Sequence, residues 1–348
     1  MGIGPWLAER IPIRGHVLRE LTNEPVPNHM RRWWFCLGGT PAYLLVVQII
    51  TGILLAFYYQ ASPTTAYQSI AHITDDVMFG WYFRSLHKWG ATFMIAAVIL
   101  HQMRVYFTGA YRRPREINWM IGMCLLCVTL LIGFTGYSLV YDQPSFWGTT
   151  VAGNISGSIP LVGGYLKNLL LGGAEYNEST LSRFYVLHAA ILPVTLILLL
   201  GVHILLIRLH GVTEFRMGDE REGEPDHFDF FPEHIGTELI MGLVLMLLLN
   251  TLAIVFPADM GPKANPLVTP EVIKPEWFFY VSFRWLKLWG LSFAVLSMGL
   301  IVGAMFVWPW IDGLIRRVTR WQDASIYIGI VATLLLIGLT VWEAVVAH

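Results

Sequence analysis

The chain has 348 residues, of which 55% are hydrophobic and only 14% charged, with a formal net charge of -1. Sparse, balanced charge leaves no electrostatic footprint for nucleic acid, and the apolar share exceeds that of an ordinary soluble domain. Three cysteines cannot form an even disulfide framework.

Residues Met1 to Arg32 lack the apolar run of a secretory leader and read as an amphipathic segment lying on a membrane surface. Seven apolar stretches follow, each long enough to cross about 30 Å of hydrocarbon. They are Trp34 to Phe57, Trp81 to Phe107, Ile117 to Tyr141, Leu181 to Ile207, Thr237 to Phe256, Leu288 to Trp308 and Ala324 to Val346. The expected fold is an all-α integral membrane protein with seven transmembrane helices, the first four forming a bundle. Residues 1–210 make the four-span part and 211–348 the three-span part.

Span one carries Gly38 and Gly52, fourteen residues apart, and span two carries His87 and His101 at the same separation. Span three repeats the glycine interval at Gly122 and Gly136, and span four has His188 and His203, fifteen apart. Fourteen residues of helix rise about 21 Å and return to within roughly 40° of the starting face; fifteen return to within roughly 60°. Two such helices face to face build two sites, each with two axial imidazoles. Ionisable groups at membrane depth are costly and usually functional, so the pattern reads as two haems stacked across the bilayer rather than as four packing histidines. The glycines fit that reading, because a macrocycle wedged between helices needs room where its edge meets backbone. Arg84, Arg104 and Arg183 lie near enough in sequence to these histidines to meet haem propionates, the alternative being that they snorkel to the interface.

Cys124 and Cys127 form a C-x-x-C within span three that faces away from the haem side and reads as apolar packing. Between spans five and six, the long proline-rich loop Pro257 to Lys287 holds Pro275-Glu276-Trp277-Phe278. A carboxylate beside an aromatic run sits in surroundings that raise its pKa and suit it to accept a proton from a bound hydroxyl. A solvated or capping glutamate is the bland alternative.

Basic residues before span one (Arg10, Arg14, Arg19, Arg31, Arg32), after span two (Arg112, Arg113, Arg115), after span four (Arg208, Arg216, Arg221) and after span six (Arg316, Arg317, Arg320) all fall on one side of a seven-span serpentine. The N-terminus is therefore expected on the negative, cytoplasmic side. His87 and His188 then lie toward the positive side, and His101 and His203 toward the negative side.

The histidine pairs, the glycine pairs, Gly136-Tyr137-Ser138-Leu139 and the Pro-Glu-Trp loop occur here in the order found in cytochrome b, which this chain resembles over nearly its whole length. In detail it is similar to the short plastid-type branch, cytochrome b6, joined in one chain to a subunit IV-like part. The features shared with that branch are the fifteen-residue His188 to His203 interval, Arg183-Phe184-Tyr185, Cys36-Leu37-Gly38-Gly39 and Arg208. Departures are Phe278, where the family motif often has Tyr, and Val140-Tyr141, where that branch has Pro-Trp.

The resemblance implies the catalytic membrane subunit of a quinol:cytochrome c or plastocyanin oxidoreductase that runs a proton-translocating Q cycle. His87 with His188 would hold a low-potential haem b, and His101 with His203 a high-potential one. Glu276, Tyr137 and the segment around Phe146 and Trp147 would line a quinol-oxidising site beside a Rieske iron-sulfur protein. Arg208, Glu238 and Asp229 would serve quinone reduction on the opposite side. Cys36 matches the cysteine that, in the plastid branch, carries a third haem, of c type, by one thioether bond; the alternative is an ordinary buried thiol. The expected partners are that Rieske protein, a c-type cytochrome or equivalent acceptor, membrane quinone, the lipid bilayer and a second copy in a homodimer. The setting is an energy-transducing membrane, with the bacterial cytoplasmic membrane expected. Two other readings remain open at this point. A haem-bearing anchor for a dehydrogenase needs the histidines but not the Pro-Glu-Trp loop, and a transporter with a histidine cluster would not match histidine and glycine periods.

Overall fold

In the computed structural model, the described residues are 6, 9–10, 25–213 and 227–346. The amphipathic segment expected at the start falls mostly outside them, as do Arg14, Arg19, Arg216 and Arg221, and the side chain of Asp229 is likewise outside the description. The structure is an all-helical membrane protein. Its helices are α1 (Gly39–Ala56), α2 (Ala66–Asp75), α3 (Gly80–Phe107), α4 (Glu116–Ser138), α5 (Gln143–Gly157), α6 (Gly163–Leu171) and α7 (Glu178–Val186). They continue with α8 (Leu192–His210), α9 (Ile235–Val255), α10 (Tyr280–Leu288), α11 (Leu291–Phe306), α12 (Trp308–Thr319) and α13 (Ala324–Val345). A two-stranded antiparallel ribbon joins β1 (Pro25–Pro27) to β2 (His227–Asp229), with Val26 opposite Phe228.

Among the described residues, six helices are long and apolar enough to cross a membrane on their own: Trp33–Ala56, Gly80–Phe107, Glu116–Ser138, Glu178–His210, Pro232–Val255 and Ala324–Val345. The expected sixth span departs from a straight rod. It is the 16-residue α11, about 24 Å long, followed at a 77° bend by the amphipathic α12. Trp308-Pro309-Trp310 explains the break, because proline cannot continue a helix but suits the first turn of a new one. Leu243, Leu247 and Leu300 are among many large apolar side chains that face outward, as a lipid-facing surface requires.

The helix that carries the second histidine pair is not uniform. Leu187–Ile191 forms a π turn, in which the Leu192 N–H donates to the Leu187 carbonyl five residues back. Pro193 supplies the cause: it has no N–H to donate and would crowd the carbonyl four residues earlier, and a wider turn relieves that conflict. A π turn accommodates one extra residue within an otherwise α-helical frame. The fifteen residues from His188 to His203 therefore keep the phase that fourteen keep in α3.

The chain forms two compact units. The first contains Met1–Gly52, Ser85–Thr129 and Thr195–Pro257, and the second Ile53–Arg84, Leu130–Val194 and Ala258–His348. In the first, Val26, Met30, Phe35 and Phe228 make an apolar cluster beneath the ribbon. Arg10, itself buried, pairs with Glu116 at 2.6 Å.

In the second unit the core is Ala66, Leu139, Tyr141, Phe146, Leu181 and Phe184. Helix α4 stops because Tyr141 takes a left-handed backbone (φ 56°). Asp142 then caps α5 in a reciprocal box with Ser145, and its second oxygen accepts from the Gly261 N–H at 3.1 Å. That bond, with Gln143 N–H to the Pro262 carbonyl at 2.8 Å, lashes the proline-rich loop to the end of α4. The end of the chain is tied as well. Glu343 on α13 is fully buried and pairs with Arg284 at 2.9 Å and Lys287 at 3.1 Å, both from α10. Lys274 Nζ donates to the Glu343 and Val346 carbonyls, closing off the last turn of α13.

Candidate functional site

Each of the four paired glycines faces one of the four histidines. A Cβ added at Gly38 would lie 3.5 Å from His101 Cε1, at Gly52 3.3 Å from His87 Cε1, at Gly122 3.6 Å from His203 Cε1, and at Gly136 2.5 Å from His188 Cε1. The equal spacings of glycines and histidines thus become four contacts: an added Cβ would clash at Gly136 and crowd the ring at Gly52, and would sit at ordinary van der Waals distance at Gly38 and Gly122.

In the first unit the His101 and His203 ring centroids are 6.4 Å apart with planes at 80°. Two metal–imidazole bonds of about 2 Å with two ring radii of roughly 1.2 Å span nearly that distance. Among the described residues no three His, Cys, Asp or Glu side chains converge on a common point. A metal held by two imidazoles here takes its remaining ligands from a macrocycle, and the glycine cradles leave space for one. These residues fit a bis-histidine haem.

The groups facing Nδ1 differ among three of the imidazoles. His87 Nδ1 lies 2.8 Å from Thr51 Oγ1. His188 Nδ1 lies 3.0 Å from the Ile132 carbonyl and 3.3 Å from Thr135 Oγ1. His101 Nδ1, by contrast, lies 3.3 Å from the Arg104 guanidinium, which also stacks over Phe35. Arg104 is thus engaged by its own helix's histidine and by an aromatic ring, and no propionate contact follows from these partners. Arg84 is engaged elsewhere: its buried guanidinium donates to the Ala258 and Asp259 carbonyls, each at 2.7 Å, fastening the start of the proline-rich loop. Arg183 is exposed and donates to the Leu169 carbonyl.

Cys36 lies in the 3₁₀ turn Trp33–Gly38 that leads into α1 and is buried. The Glu238 carboxylate lies close to its thiol. The same carboxylate fills the space a side chain at Gly39 would take and lies 3.6 Å from His234 Nε2. His234 is a neighbour that the sequence reading missed; its position one turn before Glu238 is the signal that could have found it. Arg208 stacks on Phe230 at 4.1 Å. Cys36, Glu238, His234 and Arg208 all belong to the first unit.

In the second unit Glu276 immediately precedes the 3₁₀ turn Trp277–Phe279, and its carbonyl accepts from the Phe279 N–H at 2.9 Å. Its charge is felt at Tyr137. It is felt also at Tyr280, whose phenol is pushed up first by burial and then by the charges of Glu276 and Glu343. The Tyr137 ring packs on Gly148, where an added Cβ would come within 3.0 Å of it. Among the described residues, the Tyr137 hydroxyl and the indole N–H groups of Trp147 and Trp277 are buried with no hydrogen-bond partner. An unmet buried donor costs about 1–3 kcal/mol, so this aromatic region is primed for a ligand with oxygen atoms. Tyr176 adds a further unmet hydroxyl and packs on Phe146 at 4.7 Å. It was not foreseen because it lies far from the motif in sequence.

Comparison with known proteins gives matches in both parts of the chain. The family model described as Cytochrome b/b6/petB matches residues 21–211, and the one described as Cytochrome b(C-terminal)/b6/petD matches residues 263–347. The chain is 44% identical over 209 residues to a cytochrome b6 of Heliomicrobium gestii, covering 60% of this chain and 98% of that one. It is 36% identical over 287 residues to a cytochrome bc complex cytochrome b subunit of Chlorobaculum thiosulfatiphilum, covering 82% of this chain and 67% of that one. In fold it is similar to a chain of a solved hyperthermophilic respiratory Complex III, with a TM-score of 0.82 and 24% identity, covering 99% of this chain and 92% of that chain.

Proposed function

This chain belongs to the cytochrome b/b6 family, and on that premise we propose that it is the catalytic haem-bearing subunit of a quinol:cytochrome c or plastocyanin oxidoreductase. The observation that carries the reading is the facing of four glycines with four histidines. His87 with His188, and His101 with His203, hold two b haems. These supply a one-electron carrier toward each side of the membrane.

On the positive side, Glu276 accepts a proton from a quinol hydroxyl while Tyr137, with the unmet indole N–H groups around it, holds the ring in place. Oxidation of one quinol releases two protons and two electrons. One electron passes to a Rieske iron-sulfur partner and onward to a c-type cytochrome or equivalent acceptor, and the other returns through this chain. Crossing the whole membrane is worth about 2.3 kcal/mol per elementary charge per 100 mV. On the negative side, Arg208 and Glu238 hold and protonate quinone as it is reduced. The Arg-rich segments support an N-terminus on that side of an energy-transducing membrane, bacterial and cytoplasmic. Residues 1–210 act as a cytochrome b6-like part and 211–348 as a subunit IV-like part, and two copies form the working dimer.

Cys36 carries a third haem, of c type. Its S–H adds across a haem vinyl group, forming one C–S bond while the thiol proton moves to the other vinyl carbon. No oxidant is required. The position of Cys36 in the turn that leads into α1, in the same unit as His101, His203 and Glu238, supports this placement.

A pyridine haemochrome assay on the purified chain should count two b haems and one c haem. On a denaturing gel the chain should stain for haem peroxidase activity, and Cys36→Ser should abolish the stain while both b haems persist. An unstained wild-type band, with no adduct on the Cys36 peptide by mass spectrometry, reduces the protein to a two-haem cytochrome. Absence of b haem altogether defeats the proposed function.

A further inference from the structure

His87, His188 and His101 differ in what meets the imidazole Nδ1, and this difference has an electronic meaning. Thr51 Oγ1 lies 2.7 Å from the Val47 carbonyl one turn back along α1. A carbonyl can only accept, so the single hydroxyl proton is committed there, and the oxygen faces His87 Nδ1 at 2.8 Å with its lone pairs. His87 must therefore donate from Nδ1, which leaves Nε2 as the basic, metal-ligating nitrogen. On α4, Thr135 makes the same bond to the Leu131 carbonyl at 2.8 Å and faces His188 Nδ1 at 3.3 Å. There the Ile132 carbonyl, at 3.0 Å, is the stronger acceptor. Each threonine immediately precedes the glycine that faces the same histidine, so one dipeptide, Thr-Gly, supplies both the space and the acceptor. Neither negative-side glycine has a threonine before it: Leu37 precedes Gly38 and Ile121 precedes Gly122. At His101 the Nδ1 atom meets the Arg104 guanidinium, which has no lone pair to offer.

Resting on the two-haem reading, we infer that Thr51, with a smaller contribution from Thr135, is a positioning residue that sets the potential of the positive-side haem below that of the other. An acceptor at Nδ1 gives the imidazole more anionic character and makes it a stronger donor to iron, which favours the oxidised state. A guanidinium beside His101 does the reverse, since positive charge near the haem favours the reduced state. The order of the two potentials then follows from side chains within each unit, and electron flow from the positive-side haem to the negative-side haem is downhill.

The test is a redox titration of the b haems in membranes containing the whole complex, with haem content measured in parallel. Thr51→Val keeps the shape and removes the acceptor. It should retain both haems, raise the midpoint of the lower-potential component and leave the higher one unmoved. Thr135→Val should produce a smaller rise, because the Ile132 carbonyl remains, and Thr51→Ser should titrate like the wild type. If Thr51→Val loses the positive-side haem, Thr51→Ser must regain it together with the low midpoint; failure of the serine variant overturns the inference. An unchanged midpoint in Thr51→Val, or an equal shift of both components, also overturns it while leaving the two-haem reading intact. A wild type without two b components would instead defeat that reading.

Discussion

In a His101→Leu variant, the α-band of the reduced b haems is expected to fall to about half its wild-type amplitude, and titration should show a single b component. The reason is geometric. His101 and His203 stand 6.4 Å apart, a separation that suits one iron between them, and among the described residues no cluster of His, Cys, Asp or Glu offers a substitute site. Leucine fills most of the imidazole volume, so the loss reports ligation rather than a cavity. Gly38, which faces the same ring, remains in place and isolates the effect to the missing nitrogen. Transmembrane electron transfer should cease, while one-electron reduction of the Rieske partner on the other side continues for a single turnover. Two b components with unchanged midpoints in this variant would show that the pair is wrongly assigned.

Glu276→Gln should leave both haem spectra intact and slow quinol-driven reduction of the Rieske partner and of the positive-side haem by about 10²-fold or more, the usual contribution of a positioned general base. Glutamine preserves the backbone bond from the Phe279 N–H, and the loop keeps its other lashings: Arg84 holds the Ala258 and Asp259 carbonyls, and Asp142 holds the Gly261 N–H. A rate loss with an intact fold therefore isolates proton transfer. The variant should also lose the pH dependence that titration of a base imposes on the wild type. Full turnover at every pH would exclude an essential proton role for this residue.

The histidines and glycines could be found from the sequence because both periodicities are local and report the same helix faces. The Pro-Glu-Trp loop could be found because its prolines and aromatic run stand out in any context. Features that depend on the backbone leaving ideal geometry were harder to see. A straight-helix wheel places His203 about 60° from His188, whereas the π turn at Leu187–Ile191 removes that offset; Pro193 was the available clue. The apolar run of the sixth span continues through Trp310, so composition alone could not show the 77° bend after Phe306. Arg84 illustrates a third kind of difficulty. Its place one turn before His87 invites a propionate, yet its partners in the fold lie about 175 residues away along the chain, a distance no local pattern reports.

The ion pairs of Glu343 bear on how the protein is made. A membrane segment carrying a bare carboxylate meets a free-energy cost when it leaves the translocation machinery for lipid. Helix α13 is synthesised after Arg284 and Lys287 have already emerged. Those two cations are available as soon as Glu343 appears, so this helix is admitted by a counter-charge laid down some sixty residues earlier. Biogenesis of the second unit thus has a direction: α10 must be in position before α13 can settle. An assembly factor that held α10 away from the bilayer would stall the newborn chain at that step, with its earlier helices already inserted.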